Sequence, residues 1–263
     1  MEIPKRYLPS QPIRENEDFA IYGNDSMLPY AETLLMLLRD EKRRILEFFR
    51  MNFSEKIDVN LFDKQKDLIN YTKQFYNPAP YSRGNFIDKT INFSYEQDVQ
   101  NCNIYYLRSS IIHEFVHIVY REWRKDLYER VIWLDEGLAQ NLSRERSLLE
   151  KEDSRFEEWY KEAIVAPSKC IPDISFLKRH GNKFGEYVDG EKNSCSGYDL
   201  SYLLVRFLLE SEVDFFELLS NFDAIRELEI HIMRDCIAYY NDKFHIETSP
   251  RFEERPAAEK AIK

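Results

Sequence analysis

One segment near the middle of the chain constrains the fold more than any other, because it is apolar on most sides and yet carries three polar side chains. The segment IIHEFVHIV spans residues 111–119, and six of its nine residues are apolar. Such a pattern predicts a helix buried on most of its surface. Burying His113, Glu114 and His117 is unfavourable unless partners satisfy them. We therefore expect the fold to supply such partners around this helix.

Composition and charge exclude several classes of protein. The chain has 263 residues, 43% hydrophobic and 32% charged, which excludes a disordered or collagen-like chain. Its net charge of -10 argues against sequence-independent binding of nucleic acid.

The longest early apolar run, Leu34–Leu38, is too short to span a membrane, and the N-terminus has no signal-peptide pattern. We expect a cytoplasmic protein without a membrane span. Its four cysteines have no CxxC spacing, and we expect reduced thiols.

The hydrophobic pattern changes character near residue 104. Before it, strands are predicted at Phe19–Tyr22 and Ile57–Phe62, and a β-rich stretch covers Phe86–Phe93. Helices are predicted near 29–51, 64–76, 104–122, 132–147, 154–165, 197–210, 213–221 and 224–241. The prediction is an α+β fold, with a small mixed sheet in the N-terminal half, a helical C-terminal half, and the 104–122 helix between them.

The same pattern predicts one domain with two parts and a short segment at each end of the chain. In chain order, these are an N-terminal extension over 1–17, an α/β part over 18–103, a helical part over 104–245 and a polar tail over 246–263.

The spacing of the polar residues in the central helix favours a metal site. Four residues apart, His113 and His117 lie on one helix face and can direct nitrogen atoms at one ion. Glu114 is placed to contact water at that ion rather than the ion itself. Glu136 follows His117 by nineteen residues, far enough for a second helix to return and supply a third ligand. Two histidines and one glutamate predict one catalytic zinc ion per chain.

These motifs resemble those of a known family. HEFVH, eighteen intervening residues, and the glutamate of WLDEGLA are similar to the gluzincin metallopeptidases. The spacing is most similar to the membrane-alanyl-type aminopeptidases and the peptidase-MA-like proteins. The resemblance implies a zincin-like fold, zinc held by His113, His117 and Glu136, and hydrolysis of a peptide or protein substrate by a metal-activated water, with Glu114 as general base.

The resemblance also implies a tyrosine that binds the oxyanion. Tyr198 lies sixty-two residues after Glu136, at the place where the aminopeptidase branch carries this tyrosine. Tyr202 is the alternative one helical turn later. His180 and His231 are weaker candidates for the same role, by analogy with thermolysin-like enzymes.

One departure from the aminopeptidase pattern concerns the substrate's free amine. Those enzymes hold the amine with the glutamate of a Gly-x-Met-Glu-Asn stretch, whereas residues 81–88 here read YSRGNFID. Cleavage at the ends or in the interior of a substrate therefore remains open. The strand near 85–93 is either the edge that pairs with an extended peptide or an ordinary sheet strand.

Two functions remain in competition. The first is a zinc-dependent peptidase. The second is a catalytically silent zincin-like protein that binds a peptide or protein partner, although an intact Glu114 favours the first. Asp135 is interpreted either as a hydrogen-bond partner of a ligand histidine or as a helix cap.

Overall fold

The computed structural model describes residues 9–80, 82–95, 104–124, 131–144, 153–166, 170–171, 177, 196–211, 214–247 and 250–252. It is a mixed α+β structure in which helices predominate, as the sequence predicts at that level. The chain divides into two compact units. The first contains Met1–Glu129 and Leu142–Glu145, and the second contains Arg130–Asn141 and Arg146–Lys263.

The first unit is built on a five-stranded mixed sheet. Its strands are β1 (Arg14–Glu15), β2 (Phe19–Tyr22), β3 (Ile57–Phe62), β4 (Gly84–Ile87) and β5 (Thr90–Ser94). The spatial order is β1-β2-β3-β5-β4. The β2–β3 and β3–β5 pairs are parallel, and the β1–β2 and β4–β5 pairs are antiparallel. Strand β4 therefore lies at one edge of the sheet.

Three α-helices accompany this sheet in the first unit. They are α1 (Leu28–Phe48), α2 (Gln65–Thr72) and α3 (Ile104–Trp123), and a short 3-10 turn (Asp25–Met27) precedes α1. On α3, the ring of Phe115 packs 5.9 Å from Phe19 of β2 and 6.2 Å from Phe53. At the end of α3, Trp123 lies 6.2 Å from Phe49. Helix α3 is thus fixed against the sheet by its apolar residues.

The hairpin β4–β5 differs from the single stretch predicted over 86–93. The chain reverses at Asp88, which has a φ of 57°. Aspartate tolerates this left-handed conformation better than most residues, so the turn forms without glycine. At the N-terminal side, Arg14 and Glu15 of the predicted extension pair with β2 and lengthen the sheet by one strand.

The second unit is mainly helical. Its helices are α4 (Ile132–Ser143), α5 (Asp153–Tyr160), α6 (Gly197–Glu210), α7 (Phe215–Ser220), α8 (Phe222–Leu228) and α9 (Ile232–Lys243), with a π-helical turn (Lys161–Val165) after α5. Two short parallel strands, β6 (Cys170–Ile171) and β7 (Arg251–Phe252), pair with each other. The last two residues of α4 belong to the first unit, where the carbonyl of Leu142 accepts a hydrogen bond from Arg44.

Helices α4 and α6 make close backbone contact within the second unit. A Cβ atom added to Gly137 would lie 2.3 Å from the carbonyl oxygen of Ser201 and 2.4 Å from Cγ2 of Val205. One turn further along α4, the side chain of Gln140 donates to the carbonyl of Tyr198 at 3.0 Å. Asn141 donates to the carbonyl of Tyr202, also at 3.0 Å. The absence of a side chain at Gly137 is therefore what allows α4 to lie directly on α6.

An aromatic cluster joins α5, α6 and α9 in the second unit. The ring of Phe156 stacks on Trp159 at 5.4 Å and meets Tyr240 at 5.2 Å. The guanidinium carbon of Arg206 lies 3.8 Å from the centroid of Phe156, within cation–π range. These contacts hold three helices together around one phenyl ring.

The helix predicted over 224–241 is two helices, α8 and α9. The break follows Glu229, whose carboxylate accepts a hydrogen bond of 2.9 Å from the buried indole of Trp133. This contact comes from a residue 96 positions away along the chain. No local breaker such as glycine or proline marks the break.

Within the described residues, Cys236 is a buried free thiol. Desolvation raises its pKa well above the usual value, which keeps the thiol protonated. Cys102 and Cys195 lie outside the described residues. Among the helices that the structure describes, none combines the length and apolar character needed to cross a membrane.

Candidate metal centre

Helix α3 presents its two histidines side by side in the first unit. The ring centroids of His113 and His117 lie 4.9 Å apart, and the rings are nearly perpendicular at 80°. His117 is only 5% exposed, while His113 and Glu114 are half-buried. The predicted helical spacing is therefore confirmed for this pair, with Glu114 next to His113 along the same helix.

The edge strand β4 contacts α3 at two of these side chains. A Cβ atom on Gly84 would lie 3.1 Å from Oε1 of Glu114. Two residues along, the ring of Phe86 stacks on His117, with centroids 5.9 Å apart and planes inclined at 25°. The edge strand and the polar face of α3 are thus in direct contact within the first unit.

A phenol lies close enough to Glu114 to respond to its charge. Tyr76 follows α2, and partial burial together with the negative charge of Glu114 raises its pKa to about 12. Its hydroxyl is therefore protonated at neutral pH and available as a hydrogen-bond donor. The side chain is 47% exposed.

Glu136 belongs to α4 in the second unit, where it is half-buried in the first turns of the helix. Its neighbour Asp135 is buried at 3% exposure. Because α4 begins at Ile132, Asp135 is already the fourth residue of the helix, and the interpretation as a helix cap is wrong.

Among the described residues, one group of three side chains could hold a metal ion: His113, His117 and Glu136, whose ligand atoms all lie within 4.8 Å of one another. Zinc with bond lengths of about 2.1 Å in tetrahedral geometry needs ligand atoms about 3.4 Å apart. Two imidazoles and one carboxylate are donor types that zinc accepts.

The two candidate tyrosines have different surroundings in the second unit. Tyr198 lies in the first turn of α6, where Ser196 caps the helix by accepting from the backbone N–H of Tyr198 at 3.2 Å. It is half-buried, and Gln140, one turn after Glu136 on α4, donates to its carbonyl. Tyr202 is only 3% exposed, and its hydroxyl accepts a hydrogen bond of 2.9 Å from Arg206. Tyr198 is therefore the more accessible of the two side chains.

The remaining predicted residues contribute less. His180 lies outside the described residues, and His231 is an exposed residue immediately before α9. Two residues of the centre were missed at the sequence level, Gly84 and Phe86. The glycine just before the predicted strand was the available signal, since glycine often marks a close backbone approach.

Searches of known protein-family models and of curated protein sequences find no significant match to this chain.

Proposed function

We propose that this protein is a zinc-dependent peptidase with a gluzincin-like catalytic site. The observation that carries the proposal is the group His113, His117 and Glu136, which has the donor set of a catalytic zinc site. The resemblance of HEFVH and WLDEGLA to gluzincin motifs supports the same proposal. The position of Glu114, beside the first ligand and against an edge strand, provides the base that such a reaction needs.

Each residue of the site then has a distinct role. His113, His117 and Glu136 would hold the zinc ion, which would supply Lewis-acid chemistry by polarising the scissile carbonyl and lowering the pKa of water. Glu114 accepts the proton of the attacking water and passes it to the departing amine, first as general base and then as general acid. The hydroxyl of Tyr198 donates a hydrogen bond to the carbonyl oxygen as negative charge develops there.

The sheet edge supports a peptide as the substrate. Strand β4 is paired only with β5 among the described strands, so its other side offers backbone N–H and C=O groups. An extended peptide pairing there would lie along the strand that contacts Glu114. This arrangement favours an extended backbone over a small isolated amide as the substrate.

Metal content and cleavage of a peptide library test the proposal together. We expect one zinc per parent chain by elemental analysis and none in His113→Ala. Glu114→Gln should retain zinc and lose cleavage, because the amide cannot accept the proton. Glu136→Ala should bind zinc at least tens of times more weakly. Glu122→Gln, on the same helix, is the matched control and should behave as the parent.

Two results would contradict the proposal. Undiminished cleavage by Glu114→Gln would remove the assigned base, and parent-like zinc affinity in Glu136→Ala would remove the third ligand. A parent that binds zinc and peptides without cleaving any of them would favour the catalytically silent binding protein instead.

A further inference from the structure

Strand β4 presents alternate residues to two different helices. Gly84 and Phe86 face α3, where they meet Glu114 and His117. Asn85 faces the other way and donates to the hydroxyl of Thr72 on α2 at 2.9 Å. This alternation is the ordinary period of a β-strand. It places two residues of one short strand against two side chains of the proposed site.

We propose that β4 is a positioning strand for the metal centre. Gly84 provides the space that the carboxylate of Glu114 occupies, and Phe86 holds the ring of His117 in its orientation. The inference rests on the proposed function and deepens it. Neither residue touches the reacting atoms, so both are positioning residues that act through Glu114 and His117.

The requirement for glycine at position 84 follows from two contacts. A Cβ atom there would lie 3.0 Å from Cδ2 of Phe93 and 3.1 Å from Oε1 of Glu114. Phe93 is buried in β5 at 3% exposure and has little room to shift. The carboxylate is the end of a flexible side chain, so an alanine would displace it by a few tenths of an ångström. A general base must remain within hydrogen-bond reach of its proton, and a misplacement of about 1 Å can reduce the rate about 100-fold.

The role of Phe86 follows from its stacking on His117. A ligand imidazole binds a metal well only when its ring is held in the correct orientation, and groups that orient such ligands typically affect affinity about 10- to 100-fold. Leucine at position 86 would remain apolar and would remove the stacked ring. The metal affinity should fall while the sheet remains intact.

A chain of side-chain hydrogen bonds fixes β4 from the opposite side. Asn60 donates to Asn92 at 2.9 Å, Asn92 donates to Asn85 at 3.1 Å, and Asn85 donates to Thr72. Asn92 is fully buried and Asn85 nearly so. The chain crosses β3, β5 and β4 and ends on α2, so β4 is held in register independently of α3.

The test compares Gly84→Ala and Phe86→Leu with two control variants. Gly23→Ala adds a methyl at ordinary contact distance, 3.4 Å from Cβ of Leu61, and Glu122→Gln changes an α3 residue that is not part of the proposed site. Zinc affinity is measured by chelator competition, and kcat and KM are measured on a cleaved peptide.

We expect Gly84→Ala to lower kcat about tenfold without a change in KM or zinc affinity. Phe86→Leu should weaken zinc binding about tenfold. The controls should match the parent in all three quantities. Equal loss of zinc affinity and kcat in both variants, or no loss in either, would overturn the positioning role.

A thermal measurement keeps the inference separate from the proposed function. Gly84→Ala is combined with Glu114→Ala, which removes one of the two atoms that the new methyl meets. We expect Gly84→Ala to lower the Tm less in this background than in the parent. Equal losses of Tm in the parent and Glu114→Ala backgrounds would contradict a contact between position 84 and Glu114. This result is independent of whether the parent binds zinc or cleaves peptides.

Discussion

Adding one methyl group at Gly137 should destabilise the second unit strongly. The new carbon would lie 2.3 Å from a backbone oxygen of α6, about 1 Å inside ordinary contact, so α4 and α6 must separate. Overpacking of this kind costs about 3 kcal/mol when backbone atoms must move. The higher helix propensity of alanine relative to glycine offsets about 1 kcal/mol of this cost. We expect Gly137→Ala to lower the free energy of unfolding by about 2 kcal/mol, or the Tm by about 4–8 °C.

Urea and thermal unfolding measure this effect directly. Val205→Ala is the informative companion, because it removes the second atom that the methyl would meet, 2.4 Å away. The sum of the stability losses in the two single variants should therefore exceed the stability loss in the double variant. A gain of about 1 kcal/mol, as at an unobstructed helix position, would refute the close contact between the helices.

Further expectations concern a helix end, an acidic group and a tyrosine. His245 has a φ of 52°, so His245→Gly should raise the urea-unfolding free energy by about 1 kcal/mol, and His245→Ala should not. Burial acts to raise the pKa of Glu210, but hydrogen bonds from Lys243 and a neighbouring guanidinium leave it lowered. Ionised Glu210 therefore stabilises the folded state above the pKa that this group has in the unfolded chain, and this stabilisation is lost on acidification. Glu210→Gln should flatten the fall in Tm between about pH 5 and 3. Tyr198→Phe should retain zinc and lower kcat about 100-fold, whereas Tyr202→Phe should lower the Tm and leave kcat unchanged; equal kcat values for the two would contradict the assignment.

The elements with a clear period could be predicted from the sequence. Strands Phe19–Tyr22 and Ile57–Phe62 and helix Gly197–Glu210 have the predicted bounds. Two regions differ from the prediction. The hairpin turn at Asp88 has no glycine, and the break between α8 and α9 lies beside Glu229, which accepts a hydrogen bond from the distant Trp133. A local pattern contains neither kind of information.

In the candidate metal centre, too, local features could be predicted from the sequence, and the long-range contacts of the edge strand could not. The interval between His113 and His117 is local, and the helix converts it directly into a pair of adjacent rings. Grouping with Glu136 could be predicted from the nineteen-residue interval after His117, which leaves room for a returning helix, and from the resemblance of the motif spacing to a family. The contacts of Gly84 and Phe86 could not be predicted, because they require the register of an edge strand against a helix.

The distribution of tryptophan provides the chain with its own reporters of folding. Of its three tryptophans, Trp123 lies near Phe49 in the first unit, while Trp133 and Trp159 lie in the second. Variants that keep only Trp123, or only the other two, would report the fluorescence of one unit at a time. Coincident denaturation curves would mean that both units melt as one cooperative system, and separated curves would mean that each has its own folding equilibrium.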